Sequence, residues 1–156
     1  MMMENIKELR KKCQPPREKD LERFGWFMAY ITRFFSIYFT KIFLKLNVTT
    51  NQITLLCIVL GISSAVLFST GKYYFMLLGS IILLFELLFG NVDGELFRYK
   101  GGNNPVGKWI DSIGHYIVEP FTYMGLSIGL YKMFNNIIHI IVGFLLVQSW
   151  FLESYV

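Results

Sequence analysis

The residues best suited to chemistry lie in one stretch, VDGELFRYKGGNNPVGKWIDSIGHYIVEP. Asp93-Gly94 is followed by Arg98, then after eight residues by Gly107, then by Asp111 and His115. Asp111, His115 and Glu119 are four apart, a spacing that stacks them up one face of a helix. A loop rich in Gly and Asn (Gly101, Gly102, Asn103, Asn104, Pro105) joins this helix to the apolar run before it. The spacing therefore brings carboxylates from two neighbouring helices to one depth. Oxygen ligands beside a guanidinium suit a hard divalent cation and phosphate groups. Charged groups at the edge of an apolar run are costly and usually functional.

The elements that must position these residues are helices in an apolar setting. Of the 156 residues, 54% are hydrophobic and 17% aromatic, which excludes an ordinary soluble domain. Residues 53–70 carry no charge and are long enough to cross a bilayer. Residues 73–92 repeat the pattern with Glu86 as the one charge; 110–131 and 137–152 complete four candidate spans. The first 20 residues are charged and lack an apolar core, so no signal peptide is read there. Cys13 sits in the basic tail and Cys57 in the first span, so no structural disulfide is expected. The expectation is an all-α, polytopic membrane helix bundle: a basic tail (1–23), an interfacial amphipathic helix (24–46) and a transmembrane bundle (47–156).

Charge sets the expected orientation. Ten of the fifteen Lys and Arg precede residue 47, and Arg98, Lys100 and Lys108 fall between spans two and three. Only Lys72 and Lys132 occupy the other two loops. The positive-inside rule then places the N-terminus and the 93–108 loop in the cytoplasm, without naming the membrane. Tyr73, Tyr74, Trp109, Tyr131 and Trp150 fall near span ends, as an interfacial aromatic belt requires. The net charge of +4 thus reflects topology and anionic lipid rather than nucleic acid.

Residues 24–46 admit two readings. They are apolar enough for a fifth span, but Arg33, Ser36, Thr40, Lys41 and Lys45 recur on one side. That pattern predicts a helix lying in the interface with its basic face toward the headgroups. Asn47–Asn51 then supply a turn and an N-cap before the first span. Gly125 and Gly129 form a GxxxG pair, which means close helix packing or a homodimer seam. Pro120 predicts a kink in the third span, and His139 reads as a packing residue. A transporter-like bundle fits less well, because the polar residues cluster at one end rather than at mid-depth.

The stretch from Asp93 resembles the CDP-alcohol phosphotransferases of phospholipid synthesis. Their signature runs Asp-x2-Asp-Gly-x2-Ala-Arg-x8-Gly-x3-Asp-x3-Asp across the second and third of six membrane helices. Asp93, Gly94, Arg98, Gly107 and Asp111 take their places in it without a gap. TTNQITLL resembles the lead into the family's first helix. The resemblance implies that Asp93 and Asp111 hold Mg²⁺ or Mn²⁺, that Gly94, Arg98 and Gly107 meet the substrate, and that His115 stands at the base position. It further implies a CDP-alcohol donor, a lipid or small alcohol acceptor, and release of CMP.

Three positions depart from the signature. The first Asp is Gly90, the Ala is Phe97 and the last Asp is His115. Each change strikes the chemistry rather than the scaffold. Glu86 is a poor replacement ligand, about 10 Å up the helix from Asp93 at 1.5 Å per residue. His115 can accept a proton or ligate a metal, with Glu119 one turn on to orient its ring. Activity of this chain is therefore expected to be weak or lost. The alternative is an inactive homologue that binds lipid or nucleotide, or serves as a partner subunit.

Overall fold

A computed structural model describes residues 5–14, 16, 26–102 and 105–154. Arg17, Lys19 and Arg23 of the basic tail, Phe24 and Gly25 at the start of the proposed interfacial helix, and Asn103-Asn104 lie outside the described residues. The described elements are all helical: α1 (Ile6–Cys13), a π-helical turn Phe27–Thr32 running into α2 (Arg33–Lys45), α3 (Thr50–Ser69), α4 (Tyr73–Tyr99), α5 (Pro105–Phe134) and α6 (Ile138–Ser154). Two of them, α3 and α4, are long and apolar enough to cross a membrane. α6 is apolar but shorter, and α5 carries Asp111, Ser112, His115 and Glu119 in its first half. The four expected spans thus correspond to four helices, of which two meet the requirements of length and apolarity.

Local sequence explains where the helices begin and turn. Thr49 caps α3: its hydroxyl accepts from the Gln52 amide at 3.4 Å, and the Gln52 side chain accepts from the Thr49 amide at 2.9 Å. This reciprocal capping box satisfies two amides that have no partner within the helix. The four turns that join α2 through α6 each hold a left-handed residue: Asn47, Gly71, Gly101 with Gly102, and Asn135. Glycine and asparagine are the residues that adopt this conformation most readily. Pro105 opens α5, where a missing N–H is no loss. α5 continues through Pro120 to Phe134 without a break.

The fold differs from expectation at the end of α4. The sequence places a loop over 93–108, yet α4 stays helical through Tyr99. Asp93, Gly94, Glu95 and Arg98 are therefore helical residues. A helical glycine costs about 1 kcal/mol, and two carboxylates gain nothing from an apolar surround. Tertiary partners hold this turn, as described below.

The chain divides into two compact units. One takes in the chain up to Leu55 together with Leu87–Asp111; the other takes in Leu56–Glu86 and the chain from Ser112 onward. In the first unit, Leu9 and Cys13 of α1 pack on Ile37 of α2, with Ile6, Leu44 and Tyr99 against them. Phe89 of α4 meets Phe39 and Phe43 edge-on at 5.5 and 5.8 Å. Val92 and Leu96 are fully buried.

The second unit is built on small residues. A methyl group at Gly125 or Gly129 would collide with the main-chain carbonyl oxygens of Ala65 or Phe68 on α3. At Gly143 of α6 it would collide with Ser127 of α5, and at Gly61 with Val118. The GxxxG pair of α5 is thus filled by α3 of the same chain, as close packing of small residues allows. Lys132 caps the contact by donating to the Ser69 carbonyl at 2.7 Å. His139 packs its ring 5.5 Å from Phe134.

Candidate functional site

The first unit holds the signature residues Asp93, Gly94, Arg98, Gly107 and Asp111. Asp93 is 7% exposed, and its Oδ2 accepts a hydrogen bond from the Thr54 hydroxyl at 2.7 Å. Thr54 stands one turn inside α3, where its hydroxyl also reaches the Thr50 carbonyl at 3.0 Å. The capping box at Thr49 fixes that turn, and through it the donor that meets Asp93. Two residues further along α4, about 200° around the helix, Glu95 points the other way.

Glu95 is 1% exposed and takes three hydrogen bonds. Its Oε1 accepts from the Gln14 side chain at 2.7 Å and the Ser36 hydroxyl at 2.6 Å; its Oε2 accepts from the Thr40 hydroxyl at 2.5 Å. A buried carboxylate requires such donors, because each unmet oxygen carries a desolvation penalty. Asn91 adds a bond to the Thr32 hydroxyl at 3.1 Å, again from α4 to the segment before α2. These bonds keep the acidic turn of α4 helical.

They also correct the reading of residues 24–46. Arg33, Ser36 and Thr40 are buried, while Phe34, Phe35, Tyr38 and Ile42 are exposed. The polar side of α2 faces inward to Glu95 rather than outward to headgroups. Short Ser and Thr hydroxyls cannot reach past an apolar neighbour to water as Lys can. Lys45, with its long stem, is exposed and Lys41 half-buried.

Arg98 is exposed and its guanidinium folds back over Gly94. A Cβ at Gly94 would stand 3.3 and 3.4 Å from the two terminal guanidinium nitrogens. The Nε of Arg98 donates to the main-chain carbonyl of Cys13, the last residue of α1. α1 is further held by Lys12, 4.3 Å above the Tyr99 ring, and by Arg10, 5.6 Å from the Phe34 ring. At the α4 terminus Lys100 donates to the Val48 carbonyl at 2.8 Å.

The remaining predicted residues lie on α5. Gly107 is buried, Asp111 half-buried and His115 exposed one turn beyond it. Glu119, expected to orient His115, receives a hydrogen bond from the Tyr123 hydroxyl one turn further on. Of the positions that depart from the signature, Gly90 is exposed and an added Cβ there would meet nothing within 4 Å. Phe97 turns its ring toward the loop, 3.7 Å from where a Cβ of Gly102 would stand.

No group of three or more His, Cys, Asp or Glu among the described residues is arranged to hold a metal ion. Mg²⁺ is often held by one or two carboxylates with phosphate oxygens of a substrate completing its shell, and Asp93 and Asp111 are the two carboxylates that the sequence reading assigns to it. Sequence reasoning missed Glu95, Thr54 and Gln14. The available signal was an apolar helix bearing an unexplained carboxylate, with a Ser/Thr stripe on another helix and no other use for it.

No protein-family model matches the chain, and no curated protein matches it.

Proposed function

We propose that the chain is an integral membrane protein of the CDP-alcohol phosphotransferase type, with α3 and α4 crossing the bilayer and α5 and α6 completing the bundle. The basic N-terminus and the α4–α5 turn face the cytoplasm, on the charge asymmetry of the sequence. One observation carries the reading: Asp93, Gly94 and Arg98 lie within the last two turns of α4, at the signature's sequence spacing from Gly107 and Asp111 on α5. That stretch offers a buried carboxylate and a cation folded over a glycine, a combination suited to a diphosphate.

In this reading Asp93 and Asp111 would hold Mg²⁺ or Mn²⁺, and Arg98 would meet a phosphate oxygen. Gly94 and Gly107 leave the backbone open to close approach. A bound divalent ion supplies charge neutralisation for the diphosphate. His115 would take the proton from the acceptor hydroxyl through a ring nitrogen. The acceptor oxygen would then bond to the β-phosphorus as the bond from that phosphorus to the bridging oxygen breaks, and CMP would leave carrying the bridging oxygen on its phosphate.

Turnover by this chain is weak or lost, and a nucleotide- or lipid-binding role is the second reading. Gly90 favours it, because a missing ligand at the metal reduces phosphoryl-group chemistry steeply. The same position makes the test clean, since the space beside Gly90 is open to a carboxylate. CMP release from a panel of CDP-alcohols and acceptors with Mn²⁺ is the measurement. The unaltered chain should release little, His115→Asp little more, and Gly90→Asp with Phe97→Ala and His115→Asp clearly more. Robust turnover by the unaltered chain would overturn the inactive reading. No nucleotide binding by any of these chains would overturn the family reading.

A further inference from the structure

Arg98 stands at the position proposed to meet phosphate, yet in this structure its Nε is bonded to the end of α1. We propose that α1 is a built-in competitor for the phosphate position, docked over Arg98 by the Gln14–Glu95 bond and displaced when a diphosphate binds.

Four observations support competition rather than simple packing. The donor to the Cys13 carbonyl is the side chain of Arg98, the cation of the signature turn, so α1 and a phosphate oxygen draw on the same group. Gly94, where a nucleotide would approach the helix, is overlaid by that same guanidinium while α1 is docked. α1 is a helix of only eight residues: Leu9 and Cys13 pack against Ile37 with Ile6, Leu44 and Tyr99 beside them, Gln14 bonds Glu95 and the Arg33 carbonyl at 2.9 Å, and Lys12 and Arg10 lie over aromatic rings. A terminal helix this short opens locally at a lower free energy than the whole fold. Finally, α1 carries Lys7, Arg10, Lys11 and Lys12 against Glu8 alone, so its departure suits a membrane surface of anionic lipid better than an apolar one.

The inference rests on the phosphotransferase reading and deepens it by naming a control of the same site. Two sites that exclude one another must show reciprocal coupling: whatever weakens α1 docking strengthens ligand binding by the same factor, and the ligand loosens α1 in turn.

Cys13 reports docking directly, because it is 0% exposed when α1 is seated. With Cys57→Ser it is the sole thiol of the full chain. The chain in phosphatidylcholine vesicles is treated with a maleimide, and CDP with Mg²⁺ is the probe ligand, Mg²⁺ alone the control. Gln14→Ala should speed Cys13 alkylation roughly thirtyfold, the factor that corresponds to about 2 kcal/mol for the two hydrogen bonds removed. Leu9→Asp should do the same by a route that touches neither Glu95 nor Arg98. Both variants should bind CDP more tightly, and saturating CDP with Mg²⁺ should speed alkylation of the parent chain. Equal CDP affinity in parent and variants although Cys13 reacts faster in the variants, or no effect of saturating CDP with Mg²⁺ on alkylation of the parent chain, would overturn the competition and leave the phosphotransferase reading standing. Binding to none of the three chains would overturn both.

Discussion

The Glu95 carboxylate is the most deeply buried charged group among the described residues of the first unit, and its removal gives a sharp expectation. Glu95→Ala deletes three hydrogen bonds to a charged group, each contributing about 1.5–3 kcal/mol. The loss is partly offset, because the variant no longer has to desolvate a carboxylate. Some donors also keep a second partner: Gln14 and Ser36 both reach the Arg33 carbonyl, at 2.9 and 3.3 Å. Thr40 is left to turn to its own helix. The net cost is about 3 kcal/mol, or a fall in Tm of roughly 6–12 °C for a chain of this size. Glu95→Gln separates geometry from charge. Its carbonyl oxygen can still receive Gln14 and Ser36, and its amide can donate to the Thr40 hydroxyl, which both gives and accepts. That variant should lose only about 1 kcal/mol. Thermal unfolding of the purified chain in detergent, followed by circular dichroism, measures both. A Glu95→Ala variant within about 1 kcal/mol of the parent would refute the reasoning. So would a Glu95→Gln variant as unstable as the alanine.

Two further outcomes are expected. Gly129→Ala should destabilise the second unit by about 1–3 kcal/mol, the usual cost of forcing a methyl into close packing, whereas Gly90→Ala should leave stability unchanged or slightly raised; equal effects would mean that α3 and α5 are not in close contact at Gly129. A cysteine at Asn103 should react with an impermeant thiol reagent only from the cytoplasmic side, and one at Asn135 only from the opposite side, each measured without Cys13 and Cys57; reversed labelling would invert the topology inferred from the Lys and Arg distribution.

The sequence by itself determined the helices and most of the punctuation between them. In a bilayer, an apolar run of about 20 residues can satisfy its own backbone within the segment only as a helix. The Asn47–Asn51 turn with its Thr49 cap and the Gly-rich loop after α4 are short-range features, settled by sterics and bonds among neighbours. The order of Asp93, Gly94, Arg98, Gly107 and Asp111 was equally plain, because it is a matter of spacing. Tertiary structure alone decided where α4 ends and which way the polar side of α2 faces. Both depend on Glu95, whose donors lie 55 to 81 residues away in the chain. A stripe of Ser, Thr and Arg reads the same from sequence whether it meets water or a buried carboxylate. Only the fold supplies the partner, and the partner's charge determines which face is buried. Arg98 follows the same rule: its place in the turn is local, but its bond to the Cys13 carbonyl spans 85 residues and exists only because α1 packs its two buried residues on Ile37.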